Sequence, residues 1–162
     1  MSFDIAIVGA GIAGASLAWQ LARRARVLLL EAEIQPDLHS TGRSAAMFME
    51  SYGPPQVRAL TRASRAFYEQ PPEGFASSPL VSPRGALYVA WQGQQAELNA
   101  LQAELQGTGC SVQRLLAADA LQRVPVLRAQ GLLAALLEPD ALDIDVNALH
   151  QGWLRGARRA GA

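Results

Sequence analysis

The sequence predicts an α/β fold: a strand-helix-strand unit at the amino terminus, then a second region in which strands and helices alternate. Three observations carry this. An apolar run from Phe3 to Val8 ends in the loop Gly9-Ala10-Gly11-Ile12-Ala13-Gly14. A helical stretch follows, with apolar Ile12, Leu17, Ala18 and Leu21, and then a second apolar run, Val27 to Leu30, closed by the acid Glu31.

That order and spacing describe a Rossmann-like dinucleotide-binding unit. Gly9 lets the chain leave the strand in a conformation that a side chain disfavours. Gly11 lets the backbone approach a pyrophosphate, and Gly14 lets helix and strand pack closely. Ala10 and Ala13 keep the loop small, and the helix N-terminus offers unpaired N–H groups to phosphate. Glu31 lies about twenty residues beyond Gly11, where a carboxylate accepts hydrogen bonds from both hydroxyls of an adenosine ribose and repels a 2′-phosphate. FAD or NAD is therefore favoured over NADP. The alternative is a glycine turn without a ligand.

The remaining elements follow in order. Ala32 to Leu38 contains Pro36 and reads as a loop, delivering His39-Ser40-Thr41-Gly42-Arg43-Ser44-Ala45-Ala46-Met47. There Ser40 or Thr41 can cap a helix start, Gly42 keeps the backbone accessible, and Arg43 can meet a phosphate or a carboxylate. Taken alone this is a capped turn with a surface Arg; after a dinucleotide strand it reads as the second wall of a cofactor cleft. Met47, Phe48 and Met49 fit either a pocket lining or a core. Pro54 and Pro55 end any preceding helix and force an extended turn. Gln56 to Tyr68 has Val57, Leu60, Ala63, Ala66 and Phe67 on one helical face and Arg58, Arg62 and Arg65 on the other. Pro71, Pro72 and Gly74 break it. Gly85 to Trp91 reads as a strand, Glu97 to Leu105 as a helix stopped by Gly107 and Gly109, and Asp119 as the cap of a short helix ending near Val124-Pro125. Gly131 to Leu137 is a further strand. Val146 to Arg159 is the final helix, carrying His150 in a structural rather than catalytic role.

Composition narrows the classes. The 162 residues are 50% hydrophobic with a formal net charge of zero, which suits a compact soluble domain but is short for a two-domain enzyme. The basic residues are all Arg and are scattered rather than gathered in a stripe, against nucleic-acid binding. Cys110 is the sole cysteine, so there is no intramolecular disulfide and no thiolate metal cluster, and no metal is expected. The first apolar run lacks a basic leader and is far too short to span a bilayer, so a cytoplasmic location is expected.

The stretch His39 to Ala46, with Tyr52-Gly53-Pro54-Pro55-Gln56-Val57-Arg58-Ala59-Leu60-Thr61, resembles the flavin-dependent amine and amino-acid oxidoreductases that include D-amino-acid oxidase, glycine oxidase and sarcosine oxidase. It is most similar to their D-arginine-dehydrogenase-like members. The likeness continues through Ser64-Arg65-Ala66-Phe67, Pro71-Pro72-Glu73-Gly74-Phe75, Ser82-Pro83-Arg84, Val124-Pro125-Val126-Leu127-Arg128, Asp143-Ile144-Asp145 and Ala148-Leu149-His150-Gln151-Gly152. The resemblance implies a Rossmann-like FAD/NAD(P)-binding fold with part of a mixed-sheet substrate domain. It also implies FAD as cofactor, with Gly9, Gly11, Ala13 and Gly14 at the pyrophosphate and Glu31 with Ala32 at the adenosine. Ser40, Thr41, Gly42, Arg43, Ser44, Ala45, Ala46 and Met47 would run beside the pyrophosphate, ribityl chain and flavin ring. The implied reaction is hydride transfer from the alpha carbon of a D-amino acid or related amine to flavin N5, giving an imino acid.

Two departures bear on substrate. At Met47 the arginine-handling relatives carry a His, and a thioether exchanges no proton. At Ala86 they carry a Glu able to hold a cationic side chain. Both point away from arginine or lysine and toward a less basic or apolar D-amino acid, or another amine. Tyr52 matches a tyrosine over the substrate in the relatives, with an aromatic turn residue as the alternative. The expected organisation is the N-terminal half of an FAD-binding domain over 1–80, a partial substrate domain over 81–140, and a helix returning to the FAD domain over 141–162. Relatives are more than twice this length. An inactive truncated FAD-binding remnant, or a component needing a partner chain or the missing C-terminal half, is thus the alternative reading, and an NAD-dependent Rossmann enzyme a weaker one. Whether the enzyme is an oxidase or a dehydrogenase stays open.

Overall fold

A computed structural model describes residues 2–162. The elements in order are β1 (Ile5–Val8), α1 (Ile12–Leu21), β2 (Val27–Leu30), β3 (Met47–Phe48), α2 (Pro55–Glu69), β4 (Val81–Pro83), β5 (Ala86–Trp91), α3 (Gln95–Gly107), β6 (Gln113–Leu116), α4 (Ala117–Arg123), β7 (Leu132–Glu138), β8 (Leu142–Ile144) and α5 (Val146–Arg159). The chain divides into two compact units. The first contains the chain up to Ala46, Ser64–Ser82 and Ile144–Ala162; the second contains Met47–Ala63 and Pro83–Asp143.

In the first unit β1 and β2 pair in parallel, Ile5 opposite Val27 through Val8 opposite Leu30, with α1 as the crossover. Parallel neighbours need such a crossover, which is why the apolar runs flank a helix. α1 turns Ala15 and Ala18, both fully buried, toward the interior, and Ile7, Ala18, Val27 and Ala157 share one core. α5 begins where the Asp145 carboxylate accepts the Ala148 N–H at 2.7 Å, a side-chain N-cap. Arg158 and Arg159 occupy its last turn, favourable toward the negative end of the helix dipole. Trp19, Phe67, Phe75 and Trp153 form one aromatic cluster, with Phe67 stacked on Trp153 at 4.8 Å and Phe75 edge-on to both. Such pairs add to the area they bury.

The second unit centres on β7, whose run Leu132 to Leu137 is apolar on both faces. It pairs antiparallel with β5 on one side and β6 on the other, Ala86 opposite Glu138 and Gln113 opposite Leu137. A central strand is covered on both faces, so it reads as a continuous hydrophobic run rather than an alternating one. α3 covers one face through Leu98 and Leu105, and α4 the other through Ala120. β3 pairs antiparallel with β8, Met47 opposite Asp143 and Phe48 opposite Leu142.

Several local expectations are corrected. The sequence predicts no strands at β3, β4, β6 and β8; each has two to four residues and persists only through pairing. α3 runs through Gly107 to a C-cap at Thr108 instead of stopping at the glycine. Asp119 lies inside the first turn of α4, where its charge suits the dipole, and Leu116 occupies the cap position. Pro55, expected to force a turn, opens α2, because proline lacks only an N–H that the first helical turn leaves unpaired.

Candidate functional site

β1 delivers the chain to Gly9, whose φ of +95° lies in the left-handed region that side chains disfavour. The Gly9 N–H donates to the Leu30 carbonyl at 2.7 Å, which ties the loop to the end of β2. Gly11 is the N-cap of α1, and the first helical bond runs from Ala15 N–H to Gly11 O at 2.9 Å. A side chain at Gly14 would strike the Gly9 carbonyl, so close approach of helix and loop requires glycine there. The first-turn N–H groups of a helix have no acceptor within it. At Ile12 that donor goes to Thr41 Oγ1 at 3.0 Å. Thr41 thus caps a helix, as its type predicts, but caps α1 from 29 residues away rather than a local helix start. No helix follows Ser40, which is exposed.

Glu31 lies just past β2 and folds back on the loop. Its Oε2 accepts the Ala10 N–H at 2.7 Å, and its Oε1 accepts Ala32 N–H at 2.8 Å and Glu33 N–H at 3.0 Å. The N–H groups of Glu33 and Ala10 hold this carboxyl below the usual glutamate range, against a smaller opposing effect of burial. A carboxylate has about four acceptor positions, so one remains for an incoming hydroxyl. From α5 the fully buried His150 brings Nε2 to 2.7 Å from the Ala10 carbonyl.

The segment after residue 39 forms the neighbouring wall. Gly42 donates its N–H to the Asp37 carbonyl at 2.8 Å, and a side chain on Gly42 would clash with that same carbonyl. Arg43 is exposed. Ser44 Oγ accepts the Ala46 N–H at 3.0 Å. Ala46 has φ of +56°, the one non-glycine residue in the left-handed region among those described, and its carbonyl accepts Ile144 N–H at 2.7 Å. Ser40, Thr41 and Ser44 line a cavity of about 330 Å³ with Ile12 and Tyr68, whose hydroxyl burial pushes upward in pKa.

The first unit therefore gathers Gly9, Gly11, Ala13, Gly14, Glu31, Ala32 and residues 40–46. Met47 and Tyr52 belong to the second unit, Met47 half-buried at the start of β3 and Tyr52 73% exposed on a turn. Beside Tyr52, Ser51 donates to Glu138 Oε2 at 2.7 Å, and the Tyr88 hydroxyl donates to the same oxygen at 3.3 Å. Glu138 is 2% exposed. Burial pushes the Tyr88 hydroxyl upward, opposed by Ser51 and reinforced by the Glu138 carboxylate. Sequence reasoning missed both Glu138 and the role of His150. An acid closing an apolar strand reads as an exposed end, and a lone His on a helix carries no signal of its partner.

The donor set fits an adenine dinucleotide: a glycine cradle, a helix N-terminus and an acceptor at Glu31. Among the described residues no group of three His, Cys, Asp or Glu side chains could hold a metal ion, and no helix is long and apolar enough to cross a membrane.

The model of the family DAO, FAD dependent oxidoreductase, matches residues 4–162. Glycine oxidase from Geobacillus kaustophilus is similar with a TM-score of 0.82 at 25% identity, over 99% of this chain and 45% of that one. Iminodiacetate oxidase from Chelativorans sp. BNC1 is similar with a TM-score of 0.75 at 27% identity, over 98% of this chain and 45% of that one. L-alpha-glycerophosphate oxidase from Mycoplasma pneumoniae, dithionite-reduced with FAD bound, has a TM-score of 0.81 at 16% identity over 99% of this chain and 44% of its own, a likeness of fold alone. The chain thus spans less than half the length of these structures.

Proposed function

This chain belongs to the DAO family of FAD-dependent oxidoreductases, and we propose that it binds the adenosine and pyrophosphate of FAD as part of an enzyme that oxidises the alpha carbon of a D-amino acid or related amine. The observation that carries the reading is the Gly9–Gly14 loop opening α1 with Glu31 folded back upon it. The N–H groups of Gly11, Ala13 and Gly14 hold the pyrophosphate, and Glu31 with Ala32 receives the adenosine ribose. Ser40, Thr41, Gly42, Arg43, Ser44, Ala45, Ala46 and Met47 line the path toward the ribityl chain and ring. When bound, FAD supplies the electron acceptor for a hydride from the substrate carbon, and the chain's own work is orientation and exclusion of competing ligands. Glu31 excludes a 2′-phosphate by charge.

Met47 and Tyr52 are the substrate-contacting candidates. Neither Met47 nor Ala86 offers a charge, and the carboxylate opposite Ala86, Glu138, is engaged by Ser51 and Tyr88. This supports a substrate without a cationic side chain. Titrating FAD into the purified chain, with flavin fluorescence and melting temperature as readouts, tests the binding half. At FAD one hundred times its Kd the expected stabilisation is about 2.7 kcal/mol, which raises Tm by roughly 5–10 °C. Colourless protein whose Tm ignores added FAD overturns it. Dye-coupled turnover of the whole protein on a panel of D-amino acids, with oxygen uptake alongside, tests the reaction. Preference for D-arginine or D-lysine would overturn the substrate reading.

A further inference from the structure

We propose that His150 is a positioning residue for the FAD loop: from α5 its Nε2–H holds the Ala10 carbonyl, and through the rigid Ala10–Gly11 peptide it aims the Gly11 N–H at the cofactor's phosphate. The inference rests on the FAD-binding reading above and deepens it.

Ala10 is 4% exposed and sits between two glycines, one of them at φ of +95°. Glycine neighbours impose little steric restraint, so the orientation of the peptides around Ala10 must be set by hydrogen bonds. Both are set. The Gly9–Ala10 peptide is held through its N–H by Glu31 Oε2 at 2.7 Å. The Ala10–Gly11 peptide is held through its C=O by His150 Nε2, also at 2.7 Å, across 140 residues of sequence.

A trans peptide is planar, with its C=O and N–H pointing in opposite directions. Drawing the Ala10 carbonyl toward α5 therefore turns the Gly11 N–H away from α5. A hydrogen bond to the carbonyl also polarises the peptide and strengthens its N–H as a donor. A carbonyl only accepts, so Nε2 must carry the proton. His150 is fully buried, and its Nδ1 has no partner among the described residues, so the ring spends its hydrogen bonding on Ala10. Through this contact α5 becomes part of the loop's support.

The test compares the wild-type chain with His150→Leu, which removes the donor, and His150→Gln, whose amide nitrogen restores one at similar reach. Long-range proton–nitrogen NMR of the imidazole reads the tautomer, the Gly11 amide resonance reads loop orientation without FAD, and fluorescence titration reads FAD affinity. The expected results are an Nε2–H tautomer, a shifted Gly11 amide in the Leu variant, and FAD binding about tenfold weaker there, or about 1.4 kcal/mol. The Gln variant should return to within about threefold of wild type. A merely structural role would lower the Tm of the Leu variant and leave the FAD Kd and Gly11 amide of its folded fraction unchanged, and this result would overturn the proposal. So would an Nδ1–H tautomer, or a Gln variant as weak as a Leu variant. If the Leu variant does not fold, the Gln variant and the tautomer decide. Wild-type protein that ignores FAD defeats the function proposed above and the coupling to FAD, while the tautomer and Gly11 amide still decide whether His150 sets the loop.

Discussion

Replacing Gly14 by Ala should damage both the fold of the first unit and its affinity for FAD. A Cβ at this position would lie far inside the 3.0 Å floor that such atoms respect toward the Gly9 carbonyl, and 3.4 Å from Ile7 Cγ2. The carbonyl would have to retreat by about 1 Å or more. Neither side yields easily, because Gly9 is tied to Leu30 by a 2.7 Å hydrogen bond and α1 is packed through Ala15 and Ala18, both fully buried. Overpacking of this kind costs about 1–3 kcal/mol, which at roughly 2–4 °C per kcal/mol lowers Tm by about 2–12 °C. In the proposed FAD site the same displacement should misalign at least one of the N–H groups assigned to the phosphate. Loss of one charge-assisted hydrogen bond, about 1.5–3 kcal/mol, weakens FAD binding roughly 10- to 100-fold. Gly11→Ala is the companion measurement. Its Cβ would meet only the Thr41 hydroxyl at 3.1 Å and the Pro36 carbonyl at 3.9 Å, so the ligand-free protein should melt within about 3 °C of wild type while FAD affinity falls. Thermal melts with and without FAD, plus fluorescence titration, separate the two effects. A Gly14→Ala protein with wild-type Tm and FAD Kd would refute the loop geometry, as would a Gly11→Ala protein that melts lower than Gly14→Ala.

Two further outcomes follow from the same structure. Glu31 has its carboxyl held down by the N–H groups of Glu33 and Ala10, so its contribution is complete above the ordinary glutamate value of 4.5 and is lost as pH falls through the lower folded value. Acid melts below about pH 4.5 should therefore show a limb that Glu31→Gln flattens; Asp4, held down by Arg26 in the same direction, leaves a residual limb in both proteins. Identical limbs in the two would count against the Glu31 contacts. In the second unit, Ser51→Ala leaves Glu138 Oε2 with the Tyr88 hydroxyl at 3.3 Å as its one side-chain donor among the described residues, a loss of about 1–3 kcal/mol. Amide exchange should quicken along β5 and β7 and stay unchanged in β1 and β2, and equal protection of β5 and β7 in both proteins would contradict the buried contact.

What the sequence determined by itself was local. The strand-loop-helix-strand order of residues 3–31 was legible because each part has a short-range cause: apolar runs of strand length, glycines where a side chain would clash or a positive φ is needed, helical spacing in α1, and an acid at the strand end. The helix over Val146–Arg159 was legible with the bounds the structure gives it, while its Asp145 cap emerged only in the fold. What only the tertiary structure decided were the partners of buried polar groups. Thr41 caps α1 across 29 residues, Ser51 meets Glu138 across 87, and His150 reaches Ala10 across 140. The four short strands likewise exist only because a neighbour supplies their hydrogen bonds. Removing a polar group from water requires a partner wherever the fold brings one, and sequence spacing carries no record of which residue that will be.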